Sequence, residues 1–85
     1  MNKVFSDSAW KDYLYWDEHD KAKKKRVQEL IKSIEREGYD KGLGKPESLK
    51  YQYKGLWSRR INDEHRLIYS VDANNIFIYS CRDHY

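Results

Sequence analysis

Six side chains in this sequence could do chemistry together: Glu47, Lys50, Arg60, Arg66, His84 and Tyr85. His84 carries the imidazole whose ordinary proton affinity lies nearest neutral pH, so it can gain or lose a proton under physiological conditions. Tyr85 offers a flat ring for stacking with a hydroxyl at its tip. Glu47 is the carboxylate of the set, and Lys50, Arg60 and Arg66 supply positive charge. Arg82 adds a further cation just before the terminal pair. One acid, one imidazole, one phenol and several cations suit proton transfer on an anionic substrate. Taken singly, each is weak. Terminal residues are usually frayed, a Glu after a Pro is ordinarily solvated, and an Arg on a strand is ordinarily a surface residue.

The elements that must position these groups can be read from periodicity. Lys3 to Phe5 reads as a short strand, and Ser6 or Asp7 can cap the helix that follows. Trp10, Tyr13 and Leu14 recur at helical spacing, which predicts a helix from Ser8 to Asp17 with Tyr15 and Trp16 off the stripe, closing over a second element. Asp20 can cap a second helix, Lys21 to Glu37, whose apolar face is Val27, Leu30, Ile31 and Ile34. Gly38 stops it. Lys21, Lys23, Lys24, Lys25 and Arg26 crowd its first turns, where the helix dipole disfavours cations unless an anion is near.

Gly42, Gly44 and Pro46 mark a loop from Tyr39 onward. Three strand-like runs follow, Leu56 to Ile61, His65 to Val71 and Ile76 to Cys81, joined by short turn-rich segments that predict an antiparallel meander. The fold class expected is α+β: a small twisted antiparallel sheet with two N-terminal helices packed on one face. Alternation along the strands places every second residue on the opposite face, and there Arg60 and Arg66 can approach one groove from neighbouring strands. Glu47 and Lys50 enter from the loop edge, and His84 and Tyr85 from the end of the last strand.

Length and charge bound the reading further. Eighty-five residues allow one domain, 1–85, with a modest core. Residues 1–20 hold two lysines against five acids, whereas the remainder holds fifteen cations against nine acids, so the basic part is the part able to meet a polyanion. Cys81, the one cysteine, sits in an apolar run and reads as a small core residue, with no intrachain disulfide available. Histidines are too scattered for a metal site. His19 reads as a surface residue, and His65 either orients Arg66 or begins a strand. No apolar stretch suggests a signal peptide or a membrane span, which points to a cytoplasmic protein.

The strings KPESLK, GLWSRRINDEHRLIYSV and the terminal CRDHY, in this order and at this length, resemble the YoeB family of bacterial toxins, a branch of the RelE superfamily. The resemblance also covers SAWKDYLYW and QELIKSI, so it runs through nearly the whole chain. It implies a RelE-like fold and a metal-independent, ribosome-dependent messenger-RNA endonuclease within a type II toxin-antitoxin module. Carried over motif by motif, it makes Glu47, Arg66, His84 and Tyr85 catalytic and Lys50 and Arg60 substrate-binding, with no cofactor. The partners implied are a cognate YefM-like antitoxin, the ribosome with its mRNA and ribosomal RNA, and operator DNA through the antitoxin complex, with no membrane; a homodimer is permitted. The run Lys23-Lys24-Lys25 and the loop Glu37 to Lys45 depart from the family pattern, away from the proposed site. Two other readings stay open on the residues: a non-nuclease toxin resembling the ParE gyrase inhibitors, and a purely antitoxin-binding co-repressor.

Overall fold

The structure is a computed structural model and describes residues Met1–Asp83. The first strand, β1 (Asn2–Phe5), is followed by helices α1 (Asp7–His19) and α2 (Lys21–Glu37). Four strands complete the chain: β2 (Glu47–Ser48), β3 (Trp57–Arg60), β4 (Arg66–Val71) and β5 (Asn75–Ser80). They form one sheet in the order β1-β5-β4-β3-β2. The meander β3-β4-β5 is antiparallel, as the short turns require. The sheet as a whole is mixed, because β1 pairs parallel to β5 after the two helices carry the chain across one face. β2 falls inside the stretch expected to be loop. Two residues are too few for a periodic signal, and only pairing with β3 makes them a strand.

Both helices begin where side-chain oxygens cap them. Ser6 Oγ accepts from the Ala9 N–H and Asp20 Oδ1 from the Lys23 N–H. Gly38 ends α2 at φ 106°, a left-handed conformation that a Cβ disfavours. The lysines in the first turns of α2 find their anions on the end of α1 and at the cap. Asp17 takes Lys21 at 3.0 Å and Lys24 at 2.6 Å, and Asp20 takes Lys23 at 2.7 Å. These pairs answer the dipole conflict expected from sequence.

Val27, Leu30, Ile31 and Ile34 are buried as the period predicts. Each such side chain contributes about 1.5–3 kcal/mol of transfer free energy. The stripe on α1 is rotated from the one expected. Ala9 and Trp16 are buried, at i and i+7, whereas Trp10 is 48% and Leu14 41% exposed. Trp10 instead stacks on Tyr13 at 5.8 Å, with Phe5 edge-on at 5.9 Å, at the surface.

Strand register sorts the side chains. Phe5, Trp57, Arg59, Leu67, Tyr69, Ile76 and Ile78 share the helix-covered face, and Glu47, Ser58, Arg60, Arg66, Ile68, Ser70 and Phe77 the other. Ile68 pairs with Ser80 but Tyr69 with Ile78, so Tyr79 is an extra residue bulged out of β5. The bulge shifts the alternation by one, and Cys81 is thereby returned to the core at 0% exposure. Without it the chain would leave the sheet facing the wrong way.

Candidate active site

The open face holds a compact set of polar groups. Glu47 stands opposite Ser58 across the β2-β3 pair, and Ser58 opposite Ile68. The next row on the same face is the cross-strand pair Arg60–Arg66. Residues diagonal across such a pair lie about 7–8 Å apart, which places Glu47 beside Arg60. Among the described residues none makes an ion pair with Glu47, Lys50, Arg60 or Arg66. Arg66 is nonetheless oriented. Its Nη1 donates to the Asn62 carbonyl at 2.7 Å, and to those of Asp63 and His65 at 3.2 Å, which fixes the guanidinium against the β3-β4 turn.

Lys50 is exposed in the β2-β3 connection, just before a 3-10 turn, Tyr51–Tyr53. The Leu49 N–H donates to the Leu56 carbonyl and closes that connection. Lys50 is thus near the strand that bears Glu47 but not in the sheet. His84 and Tyr85 lie outside the described residues.

Two arrangements fix the site from below, and sequence reasoning missed both. The first is Arg59, fully buried on the helix side, between the site residues Ser58 and Arg60. Its Nε donates to the Tyr69 hydroxyl, Nη1 to Ser33 Oγ and the Leu43 carbonyl, and Nη2 to the carbonyls of Gly38 and Lys41. The Tyr69 hydroxyl passes its own proton to the Tyr39 carbonyl, and its burial raises the proton affinity of the phenol. Arg59 therefore ties the loop 38–45 to the sheet. At the loop's end the Arg60 N–H donates to the Gly44 carbonyl at 2.7 Å. Gly44 has φ 87°, and a Cβ there would meet Leu30 Cδ2 at 2.7 Å, so nothing larger fits. This contact delivers Pro46 and Glu47 to the edge of β3.

The second arrangement holds the end of the chain. Asp12 Oδ2 accepts from the Cys81 N–H at 3.0 Å, and Trp16 Nε1 donates to the Cys81 carbonyl at 2.7 Å. The Arg82 guanidinium lies over the Tyr15 ring at 3.6 Å. Asp83 donates its N–H to His65 Nδ1 at 2.8 Å and accepts from the Arg66 N–H at 2.9 Å. Burial raises the Asp12 carboxyl above its ordinary range despite the Cys81 N–H, and burial pushes the Cys81 thiol up to about 12. The signal for this group was present: Ala9, Asp12 and Tyr13, and Trp16 form an i, i+3/i+4, i+7 stripe. A small residue and an acid in that stripe make it look less apolar than Trp10 and Leu14.

The chain matches, over residues 5–85, the family model described as YoeB-like toxin of bacterial type II toxin-antitoxin system. The chain belongs to this family. Toxin YoeB of Escherichia coli (strain K12) is 48% identical over all 85 residues, covering the whole of both chains. The YoeB dimer from Staphylococcus aureus superposes with a TM-score of 0.95 at 52% identity, and the toxin in the YoeB-YefM complex from the same organism with 0.94 at 50%. Both cover 100% of this chain and 98% of the other. The toxin fold expected from the sequence is therefore the fold observed. In this YoeB-like toxin the acid and the two arginines expected at the site share the sheet face opposite the helices.

One pocket, of about 280 Å³, lies far from that face. It is lined by Lys25, Gln28, Glu29, Lys32, Arg36 and Leu43 on the solvent side of α2. On the site's own face Glu47 is exposed at the edge, Arg60 and Arg66 are half-buried, and Ser58 and Ile68 between them are buried.

Proposed function

We propose that the protein is a ribosome-dependent endoribonuclease that cleaves mRNA through the RNA's own 2′-hydroxyl. The observation that carries this reading is the register that sets Glu47 beside the Arg60–Arg66 pair, with the last described residue held to Arg66. Glu47 is the base that takes the 2′-hydroxyl proton. The 2′-oxygen then attacks the adjacent phosphorus, and His84 protonates the departing 5′-oxygen, leaving a cyclic 2′,3′-phosphate and a 5′-hydroxyl. Because the substrate carries its own nucleophile, acid-base groups and cations suffice, without a metal. Arg66 stabilises the charge on the non-bridging oxygens, which a planar guanidinium can bind at two points. Lys50 and Arg60 position the flanking phosphates, and Tyr85 stacks on the substrate nucleotide.

The exposure of Glu47 supports a role for the ribosome. A carboxylate on an open edge gains the dry surroundings of an effective base only when substrate and ribosome cover it. A presented mRNA also removes the positional entropy that a shallow surface cannot overcome. The cationic face of α2, with Lys25, Lys32 and Arg36, suits contact with ribosomal RNA phosphates, and its binding weakens steeply with salt. The cognate partner is a YefM-like antitoxin whose acidic segment covers the basic face, and the toxin is able to pair with a second copy of itself. The cytoplasm is the place of action, because ribosomes are there.

The test is cleavage of mRNA on programmed ribosomes by single variants. Glu47→Ala, Arg66→Ala and His84→Ala each lower the single-turnover rate by at least about tenfold, with unchanged urea midpoints. Wild-type rates for all three, in folded protein, would remove the assigned roles.

A further inference from the structure

His65 is buried, with 8% of the residue exposed, and it has no role in the chemistry proposed above. Its surroundings fix its chemistry. A backbone N–H can only donate, so the ring nitrogen that faces the Asp83 N–H at 2.8 Å, Nδ1, must present a lone pair. In the neutral ring the proton is then on Nε2, which lies 3.4 Å from Glu64 Oε1. The ring packs edge-on against Trp16, with centroids 4.8 Å apart, and Trp16 itself holds the Cys81 carbonyl. The backbone of His65 is equally fixed: its N–H donates to Asn62 Oδ1 and its carbonyl accepts from Ile61.

The residue after His65 grips the same residue from its other side, since the Arg66 N–H donates to the Asp83 carbonyl. Two consecutive residues thus hold both backbone polar groups of Asp83. Asp83 needs such a grip, because its φ of 61° is left-handed, a conformation that costs a non-glycine residue free energy. The backbone of Asp83 is therefore held beside Arg66, the proposed transition-state arginine. The charged groups that face the ring are the carboxylates of Glu64 and Asp83, the latter 3.9 Å from Nδ1; Arg66 follows His65, on β4, and on the helix side Lys23 Nζ lies over Trp16, the ring His65 packs against, with Asp12 on the helix of Trp16 binding the Cys81 N–H.

We propose that His65 is a positioning residue: as a neutral Nε2–H imidazole it clamps Asp83 and sets the point from which the catalytic tail approaches Arg66. The catalytic part of this inference rests on the nuclease reading, but the clamp itself does not. Nitrogen-15 NMR of the full-length wild-type protein separates the two. The clamp predicts the Nε2–H tautomer and a scalar coupling across the hydrogen bond from the Asp83 amide nitrogen to His65 Nδ1. A proton on Nδ1, or no coupling, overturns it whatever the nuclease assay gives.

For the positioning role, two variants are compared on programmed ribosomes. His65→Leu keeps apolar bulk against Trp16 and removes the acceptor. His65→Asn returns an acceptor oxygen near the position of Nδ1. The expected result is a fall of about tenfold or more in kcat for His65→Leu with KM for the programmed ribosome within about twofold, and recovery of most of the rate by His65→Asn. Equal rates for wild type and His65→Leu, with the coupling present in wild type, overturn the positioning role. Equal losses in both variants, tracking lost stability, reduce His65 to a packing residue and overturn it too. A wild-type protein that cuts nothing defeats the nuclease reading instead, and the coupling then decides the clamp alone.

Discussion

Replacing Arg59 with Lys tests whether the site is held in place by a buried cation. Arg59 donates five hydrogen bonds at 0% exposure, three of them to carbonyls of the loop 38–45, and no carboxylate among the described residues pairs with it. Lysine keeps the charge but has three donors on one nitrogen, so at least two of the five acceptors lose their partner. Hydrogen bonds to charged donors are worth about 1.5–3 kcal/mol each, and water entering the opened loop returns part of that, leaving a loss of about 2–4 kcal/mol. The whole domain is stable by about 4–13 kcal/mol at the usual value per residue. Urea denaturation should therefore show a midpoint about 1–3 M lower at unchanged slope. Ribosome-dependent cleavage should fall as well, because the loop that Arg59 ties down carries Gly44 against Arg60 and delivers Glu47. A midpoint shift worth less than about 0.5 kcal/mol would refute the reasoning, since the five bonds would then contribute no more than solvation does.

Further outcomes follow from the same structure. Cys81, with its thiol pushed up to about 12 by burial, should resist alkylation at pH 8 in the native protein and react fully in denaturant; stoichiometric native labelling would contradict its place in the core. Asp12 binds its proton more tightly folded than unfolded, so its contribution to stability is complete below the unfolded value of 3.8 and is lost as pH rises through the raised folded value. Asp12→Asn, which cannot ionise but keeps the acceptor for Cys81, should therefore be at least as stable as wild type at pH 7. Asp12→Ala should be less stable by about 1 kcal/mol, and urea midpoints that reverse this order would contradict the burial of the carboxyl.

How much of this was legible in the sequence depends on what each residue answers to. The α2 face of Val27, Leu30, Ile31 and Ile34, the caps Ser6 and Asp20, and the meander from Trp57 to Ser80 obey local rules, and all appeared as expected. The α1 face did not, because its buried stripe is completed by Asp12, which is there to hold the Cys81 N–H, and by Ala9, which is small. The parallel seat of β1 is a consequence of topology, and no period within four residues carries it. Arg60 and Arg66 were legible as strand neighbours. Arg59, in the string SRR, was not singled out: alternation against β4 turns it inward, where no sequence rule anticipates a buried guanidinium bound to carbonyls. His65 was ambiguous between orienting Arg66 and opening a strand. Its partner, Asp83, is eighteen residues away and is brought to it by the bulge at Tyr79.

The central claim, cleavage by the message's own 2′-hydroxyl, is tested most directly by two end-labelled messages on programmed ribosomes. One carries a single 2′-deoxy nucleotide immediately 5′ of the scissile phosphate, and the other is unmodified. The account predicts cleavage of the unmodified message, leaving a cyclic or 3′-phosphate on the upstream fragment, and no cleavage of the other at that position. Equal cleavage of both would contradict it, because the nucleophile would then have to come from outside the RNA.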